Sequence, residues 1–189
     1  KLLDHTEILT FEEILSFLCD AVSMGINKVR ITGGEPLVRK GIVGLVRDIA
    51  GISGICDLSM TTNAMLLEEF AKPLADAGLK RVNISMDTCD PDRFCEITHG
   101  GDITKVMYGI NAAQKAGLLP IKINCVVNFS SDEPDALGVK AFCKKMNLQV
   151  RFIQRMKLED GKFSVVEGGK GGNCGICNKL RLSSDGMLR

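Results

Sequence analysis

Two short stretches of this sequence carry the residue types that do chemistry. The first, Gly33-Gly34-Glu35-Pro36, follows a strand-like run from Lys28 to Thr32. Glycines leave the backbone open after a strand, and a neighbouring carboxylate suits a ligand that carries an ammonium group. The stretch matches neither G-x-G-x-x-G nor G-x-x-x-x-G-K-[ST], which excludes the common phosphate-binding fingerprints. A plain turn between a strand and a helix is the alternative, but it leaves the carboxylate and the proline unexplained.

The second stretch is Cys174-Gly-Ile-Cys177, preceded by a glycine-rich run at 168–172. Two thiolates at this spacing can bind one metal ion or cluster, although zinc and iron–sulfur clusters need three or four ligands. A thioredoxin-like redox pair is another reading, but the glycine-rich approach is not the strand-to-helix context of that fold. We therefore interpret the pair as an incomplete metal or cluster site.

The other six cysteines favour an intracellular protein with a buried core. They occur singly, and we expect them to be small core hydrophobes; they are Cys19, Cys56, Cys89, Cys95, Cys125 and Cys143. No signal peptide opens the sequence, and no apolar run approaches the about 20 residues of a membrane span. A reducing cytoplasm is the interpretation that fits.

Composition narrows the class of partner. The chain has 189 residues, 45% of them hydrophobic, so one domain with a sizeable core is the default. Its net charge of +1, from 24 basic and 23 acidic side chains, gives no reason to expect nucleic acid or an acidic membrane as a partner. This charge balance does not exclude a small anionic substrate.

Strand and helix patterns alternate along the chain. The predicted strands are Lys28–Thr32, Asp57–Thr62, Arg81–Met86, Ile121–Val127 and Gln149–Gln154. The predicted helices run from Thr10 to near Gly25 and over Ile42–Ala50, Leu66–Ala77, Ile103–Ala116 and Pro134–Met146. Because parallel neighbours need crossover connections, this order predicts an α/β fold of parallel βα units.

Polar residues interrupt these strands at positions that would share one face. They are Arg30, Thr61, Asn83, Ser85, Lys122, Asn124 and Arg151. In a curved or closed sheet, alternate side chains point inward, and active groups gather at the carboxyl ends of the strands. The alternative is that Lys122 and Arg151 are simply exposed on edge strands.

Six ordered motifs extend the first stretch into a family resemblance. They are RITGGEPLVRK, LSMTTNAMLL, AGLKRVNISMDTCDPDRFCEIT, AGLLPIKINCVV, VRFIQRM and CGICNKLRLSSDGMLR. Their order resembles that of the radical S-adenosylmethionine (SAM) enzymes and, among them, the molybdenum cofactor biosynthesis protein A family of GTP 3′,8-cyclases. The resemblance implies a partial (βα)6 TIM-type barrel over residues 1–156, with its first strand missing from this sequence. Residues 157–189 would form a truncated C-terminal segment that carries the C-x-x-C pair.

The same resemblance implies cofactors and residue roles. The family uses SAM and two [4Fe–4S] clusters, the first bound by a C-x-x-x-C-x-x-C loop that this sequence lacks, the auxiliary one by Cys174, Cys177 and a later cysteine. The cofactor residues would be Gly33, Gly34, Glu35, Pro36, Ser85 and Met156. The substrate residues would be Arg30, Thr61, Lys122, Lys179 and Arg181. A radical derived from SAM would take the 3′ hydrogen of GTP, whose carbon then attacks C8. A protein reductant and a homodimer complete the expectation.

Three departures from the family pattern keep other readings open. Lys179 stands where arginine is expected, Ala64 replaces a glycine, and only 17 residues separate Met156 from Cys174, where the family has a longer insertion. A radical SAM enzyme acting on a peptide or another small molecule is therefore the second reading. A non-enzymatic iron–sulfur or zinc protein is the third.

Overall fold

The computed structural model describes residues 8–155, 166–169 and 179–188. Within them, five strands alternate with helices: β1 (Lys28–Ile31), β2 (Asp57–Thr62), β3 (Arg81–Ser85), β4 (Lys122–Val127) and β5 (Gln149–Gln154). The helices are α1 (Phe11–Ser23), α2 (Ile42–Gly51), α3 (Leu67–Asp76), α4 (Pro91–Ile97), α5 (Ile103–Lys115) and α6 (Pro134–Lys145). A short 3₁₀ turn covers Pro36–Val38.

All five strands are parallel and lie side by side in chain order, β1-β2-β3-β4-β5. A doubly wound sheet reverses its strand order at a switch point, and this sheet does not. Since right-handed crossovers then all return on one side, the helices cover one face, as in a segment of a TIM-type barrel. The predicted α/β class and the five predicted strands are confirmed.

Local signals account for most element boundaries. The Thr10 hydroxyl accepts a hydrogen bond from the Glu13 amide (3.2 Å), and the Glu13 carboxylate accepts one from the Thr10 amide (2.7 Å), which starts α1. Helix α4 was not predicted from the sequence. Its start was nevertheless signalled, because Asp90 caps the Arg93 amide at 2.7 Å and Pro91 occupies the first helical position.

The sheet has one apolar face and one polar face. Buried side chains of the strands pack against the helices and form the core, among them Leu58, Met60, Val82, Ile84 and Ile123. Their sequence neighbours point the other way because successive side chains in a strand alternate between faces. The polar residues of β1 to β5 therefore share the face that no described helix covers, which we call the polar face.

The cysteine prediction was half wrong. Cys125 and Cys143 are buried and Cys89 is half-buried, but Cys19, Cys56 and Cys95 are exposed. The exposed three lie on solvent-facing sides of helices or just before a strand, which spacing alone did not reveal. No helix in the described ranges is long and apolar enough to cross a membrane. The predicted boundary at 156/157 lies outside the described residues and stays a prediction.

Candidate functional site

The strand register arranges the polar face in rows. From the amino ends of the strands towards their carboxyl ends, the rows are Arg30-Ser59-Arg81, Thr61-Asn83-Lys122 and Ser85-Asn124-Arg151. Parallel pairing places each residue directly beside its row neighbours. Residues far apart in sequence thus form one continuous polar surface across four or five strands.

Three cations of this surface, Arg30, Lys122 and Arg151, form no ion pair with a carboxylate within the described residues. Asp57 attracts Arg30 and Lys122 but pairs with neither. Burial and then repulsion by Arg151, Arg81 and Arg30 lower the pKa of Lys122. Burial and repulsion by Arg81 lower the pKa of Arg151 in the same way. Arg30 is an exposed residue on edge strand β1, but partial desolvation of its guanidinium group is the largest cause that lowers its pKa. Repulsion by Arg151 and Arg81 lowers this pKa further.

Arg81 is the exception in this cluster, because its guanidinium pairs with the Asp57 carboxylate at 2.5 Å. No other ion pair in the described part of the chain reaches the polar-face cations. Desolvated like charges held together are unfavourable unless an anion joins them. The arrangement is therefore suited to binding an anion.

A cavity of about 220 Å³ opens beside these cations. Its lining consists of Arg30, Asn124, Arg151, Ile153, Val166, Gly169 and Lys179. Pockets for whole small molecules begin at about 300 Å³, so this volume matches the phosphate end of a nucleotide better than an entire one. A larger hollow of about 490 Å³ lies at the amino ends of β4 and β5, and its lining holds no titratable side chain.

Two asparagines present unpartnered oxygens next to the cations. The Oδ1 atoms of Asn83 and Asn124 are buried and accept no hydrogen bond within the described residues. Asn83 is 0% exposed, and its amide nitrogen only donates weakly to the Met60 carbonyl at 3.4 Å. An unpaired buried acceptor costs about 1–3 kcal/mol. These oxygens are therefore suited to a ligand or a side chain that brings a donor.

The Gly33-Gly34 segment forms an open cradle at the carboxyl end of β1. Gly33 has φ +155°, a conformation that favours glycine, and a Cβ atom at either position would meet no heavy atom within 4 Å. In the described ranges, no hydrogen bond joins the backbone of either glycine to another residue. Their amide and carbonyl groups are thus free to bind a ligand.

Carboxylates fix the loops around this cradle. Glu35 accepts hydrogen bonds from the Leu37 amide (3.0 Å), the Thr62 hydroxyl (2.8 Å) and the Asn63 amide (2.7 Å). Asp87, after β3, accepts one from the Val126 amide at 2.8 Å, and burial raises its pKa. Each carboxylate connects the loop after one strand to the next strand along.

Ala64 follows β2 with φ +62°, in the left-handed region. This conformation costs a non-glycine residue about 1–2 kcal/mol, which explains why the resembled family has glycine here. The Thr62 hydroxyl accepts a hydrogen bond from the Ala64 amide at 3.0 Å and holds the turn. Ala64 therefore adopts the left-handed conformation with this hydrogen bond as support.

The structure brings most of the predicted site residues to one region. Arg30, Lys122, Thr61 and Ser85 lie on the polar face, Lys179 lines the cavity, and residues 33–36 form the loop beside it. Arg181 is exposed and does not line that cavity. Met156, Cys174 and Cys177 lie outside the described residues, so their roles stay predictions.

Four further residues of the site, Asn83, Asp87, Asn124 and Arg151, were not singled out for a role. Arg151 and the two asparagines appeared in the sequence analysis only as polar strand residues, and Asp87 did not appear. The two-residue spacing of Arg151 from Ile153 and Gln149 in β5 puts them on the same face, which was a usable signal. Nothing local marked Asp87, since its partner lies in another strand.

Comparison with known proteins identifies the family of this chain. The profile of the Radical SAM superfamily matches residues 2–135. GTP 3′,8-cyclases of Alkaliphilus metalliredigens and Peptoclostridium acidaminophilum are each 46% identical over 98% of this chain, which covers 71% and 70% of their lengths. Their alignments run over 227 and 229 positions, more than the 189 residues of this chain, so gaps are present.

Solved structures support the fold alone, because their identities are low. SuiB of Streptococcus suis bound to S-adenosylmethionine gives a TM-score of 0.65 at 19% identity over 80% of this chain and 35% of that one. Methylornithine synthase gives 0.61 at 16% identity over 86% of this chain and 50% of that one. This chain thus spans about a third and about half of those two proteins.

The profile match covers most of the chain, and two curated GTP 3′,8-cyclases are 38% and 39% identical over 98% and 100% of this chain, which covers 71% and 73% of their lengths. The chain is a radical SAM enzyme and belongs, within that superfamily, to the family of the GTP 3′,8-cyclases.

Proposed function

We propose that this enzyme is a GTP 3′,8-cyclase, joining C3′ to C8 of GTP to give 3′,8-cyclo-7,8-dihydro-GTP for molybdenum cofactor biosynthesis. One observation carries the proposal. Arg30, Lys122 and Arg151 converge on the polar face without a described carboxylate partner. A triphosphate would supply the missing negative charge, and guanidinium groups bind phosphate oxygens through two parallel hydrogen bonds.

The remaining polar residues suit the rest of a nucleotide. Thr61 and Asn83 lie in the same row as Lys122. This row is nearer to the amino ends of the strands than the row that contains Ser85. A hydroxyl and an amide oxygen can bond the sugar, which offers O–H donors that phosphate lacks. Lys179 lines the cavity and would add a single charge at its edge.

The Asn83 assignment makes a testable claim about this row. Asn83→Leu removes an unpartnered buried acceptor, so thermal stability should stay unchanged or rise. GTP affinity should fall about tenfold, because an acceptor for Lys122 or for a sugar hydroxyl is lost. Calorimetric unfolding and isothermal titration with GTP measure the two effects. Wild-type GTP affinity in the variant would exclude Asn83 from the site.

The chain's residues fit SAM at the other end of the site. Family membership implies SAM and a [4Fe–4S] cluster, which together supply abstraction of a hydrogen atom from the substrate when bound. Gly33 and Gly34 leave the space that a side chain would fill, and their backbone groups form no hydrogen bond with the described residues. Their carbonyl oxygens would accept hydrogen bonds from the amino group of the cofactor, while Pro36, which is buried, anchors the loop. Ser85 would bond the cofactor from the carboxyl end of β3.

The ligands of the first iron–sulfur cluster cannot be assigned to residues of this sequence. The 189 residues contain no C-x-x-x-C-x-x-C triplet, and the described part holds no group of three metal-binding side chains. We therefore assign no residue of this sequence to the first cluster and derive no step through it. Cys174 and Cys177 as ligands of a second cluster, Met156 at SAM, Arg181 at the substrate, a protein reductant and a homodimer complete the proposal.

One assay tests the function. The full-length protein, reconstituted anaerobically with iron and sulfide, is incubated with SAM, dithionite and GTP carrying deuterium at C3′, and products are identified by mass spectrometry. We expect a cyclised GTP and 5′-deoxyadenosine that has gained the deuterium. Failure to cleave SAM in protein with an assembled cluster would contradict the proposal.

A second candidate is a radical SAM enzyme acting on a peptide or another small molecule. The gapped alignments and the 17-residue link between Met156 and Cys174 favour it, because the cyclases have additional residues. In the assay above, 5′-deoxyadenosine without deuterium and with intact GTP would select this candidate.

A further inference from the structure

The Glu35 carboxylate accepts three hydrogen bonds from its own protein. Its Oε1 atom accepts from the Leu37 amide at 3.0 Å and from the Thr62 hydroxyl at 2.8 Å. Its Oε2 atom accepts from the Asn63 amide at 2.7 Å. The sequence analysis had placed Glu35 among the cofactor residues because a carboxylate suits an ammonium group. The bonds observed here indicate a different task.

These bonds replace the sheet ladder where it ends. Pairing between β1 and β2 ends at Ile31 and Met60, and beyond these residues the two segments are no longer paired with each other. Glu35 reconnects them through Thr62 and Asn63, across a sequence separation of 27 and 28 residues. Thr62 is 2% exposed, so this connection lies in the protein interior.

The segment between these fixed points is the cradle itself. Gly33 and Gly34 form no hydrogen bond with other described residues, and no neighbour packs within 4 Å of where their side chains would be. Two adjacent glycines without contacts would otherwise sample many conformations. Their geometry is set by β1 on one side and by the Glu35 bonds on the other.

We propose that Glu35 is a positioning residue: its carboxylate joins the loop after β1 to the end of β2 and thereby sets the backbone of Gly33 and Gly34 for the cofactor. The inference rests on the proposed SAM site. Fixing the loop before the ligand arrives reduces the ordering cost of binding. A direct bond from Glu35 to the cofactor is not required.

Glutamine cannot take over this role. Leu37 and Asn63 approach different carboxylate oxygens with N–H donors. A glutamine side chain has one acceptor oxygen, and its amide nitrogen brings two further donors. One of the two backbone donors would therefore face another donor.

The test compares Glu35→Gln with Thr62→Val. Both remove part of the same connection, and Thr62 is buried. Thr62→Val also removes the acceptor of the Ala64 amide, which Thr62→Ser keeps. SAM affinity of the reconstituted holoprotein is measured by isothermal titration. We expect both variants to bind SAM about tenfold more weakly, and the double variant no more weakly than Glu35→Gln alone. Thr62→Ser, which keeps the hydroxyl, should restore affinity.

Hydrogen exchange gives a second readout that needs no SAM. The amides of Gly33, Gly34 and Asn63 should exchange faster in Glu35→Gln and Thr62→Val than in the unmodified protein, while amides of the β3 core keep their protection. This arm separates the two proposals, because unmodified protein that fails to bind SAM contradicts only the proposed function.

Two results would overturn the positioning role. Normal SAM affinity and normal loop exchange in Thr62→Val, with weak binding in Glu35→Gln, would mean that Glu35 contacts the cofactor directly. Unchanged SAM affinity and unchanged hydrogen exchange in Glu35→Gln would mean that these bonds do not determine the backbone conformation of Gly33 and Gly34. Melting temperatures close to that of the unmodified protein confirm that the variants are folded.

Discussion

Replacing Lys122 by methionine is expected to weaken GTP binding by about 10- to 100-fold while stabilising the protein without GTP. A hydrogen bond from a charged group contributes about 1.5–3 kcal/mol, and the phosphate would lose one such partner. In the absence of ligand, Lys122 is partly desolvated and repelled by Arg151, Arg81 and Arg30, which lowers its pKa. Removing the charge relieves that repulsion, as often happens when a functional residue is replaced.

The contribution of Lys122 to the free energy of unfolding depends on pH. The pKa of Lys122 lies below its ordinary 10.5 in the folded protein, so between the two values the unfolded state binds more protons. The free energy of unfolding contributed by this group therefore rises as pH rises through the lowered pKa. The penalty is fully present only below the lowered pKa. Lys122→Met should abolish this rise.

Lys105→Met is the matched control, because Lys105 is exposed on α5, which covers the opposite face of the sheet. It removes the same charge and should change neither GTP affinity nor the pH profile. GTP affinity by titration and urea unfolding at several pH values measure both effects. Destabilisation of Lys122→Met with unchanged GTP affinity would show that Lys122 has a structural task and would remove the observation on which the nucleotide proposal depends.

Gly34→Val is expected to weaken SAM binding by about 10- to 100-fold with little change in stability. Gly34 has an ordinary backbone conformation, and an added Cβ would meet no protein atom, so the side chain costs the fold little. It would occupy the cradle where the amino group of the cofactor is proposed to bind, and inserting methyl groups into a filled site costs about 1–3 kcal/mol. Gly34→Ala should give a smaller loss.

Gly138→Ala controls for the added carbon. Gly138 lies exposed within α6, where alanine should stabilise the helix by about 1 kcal/mol and leave SAM affinity alone. SAM affinity and melting temperature are measured for all three variants. If Gly34→Val bound SAM normally, the cradle would not be the cofactor site, whatever the assay of GTP turnover gives.

The sequence by itself determined the elements and their faces. Alternation of period two in β2 to β5 predicted which residues share a face, and the prediction holds for Thr61, Asn83, Lys122 and Arg151. The ordered motifs around Gly33 and Gly34 determined the family, because glycine next to a strand end has few replacements there.

Only the tertiary structure decided which of these residues meet. A period of two tells which face a side chain is on, but the strand beside it and its register depend on contacts between distant segments. The row of Thr61, Asn83 and Lys122 and the bonds of Glu35 to Thr62 and Asn63 arise from such contacts. For the same reason the sequence suggested a cofactor ligand at Glu35, whereas packing of β1 against β2 had already directed its carboxylate to the protein.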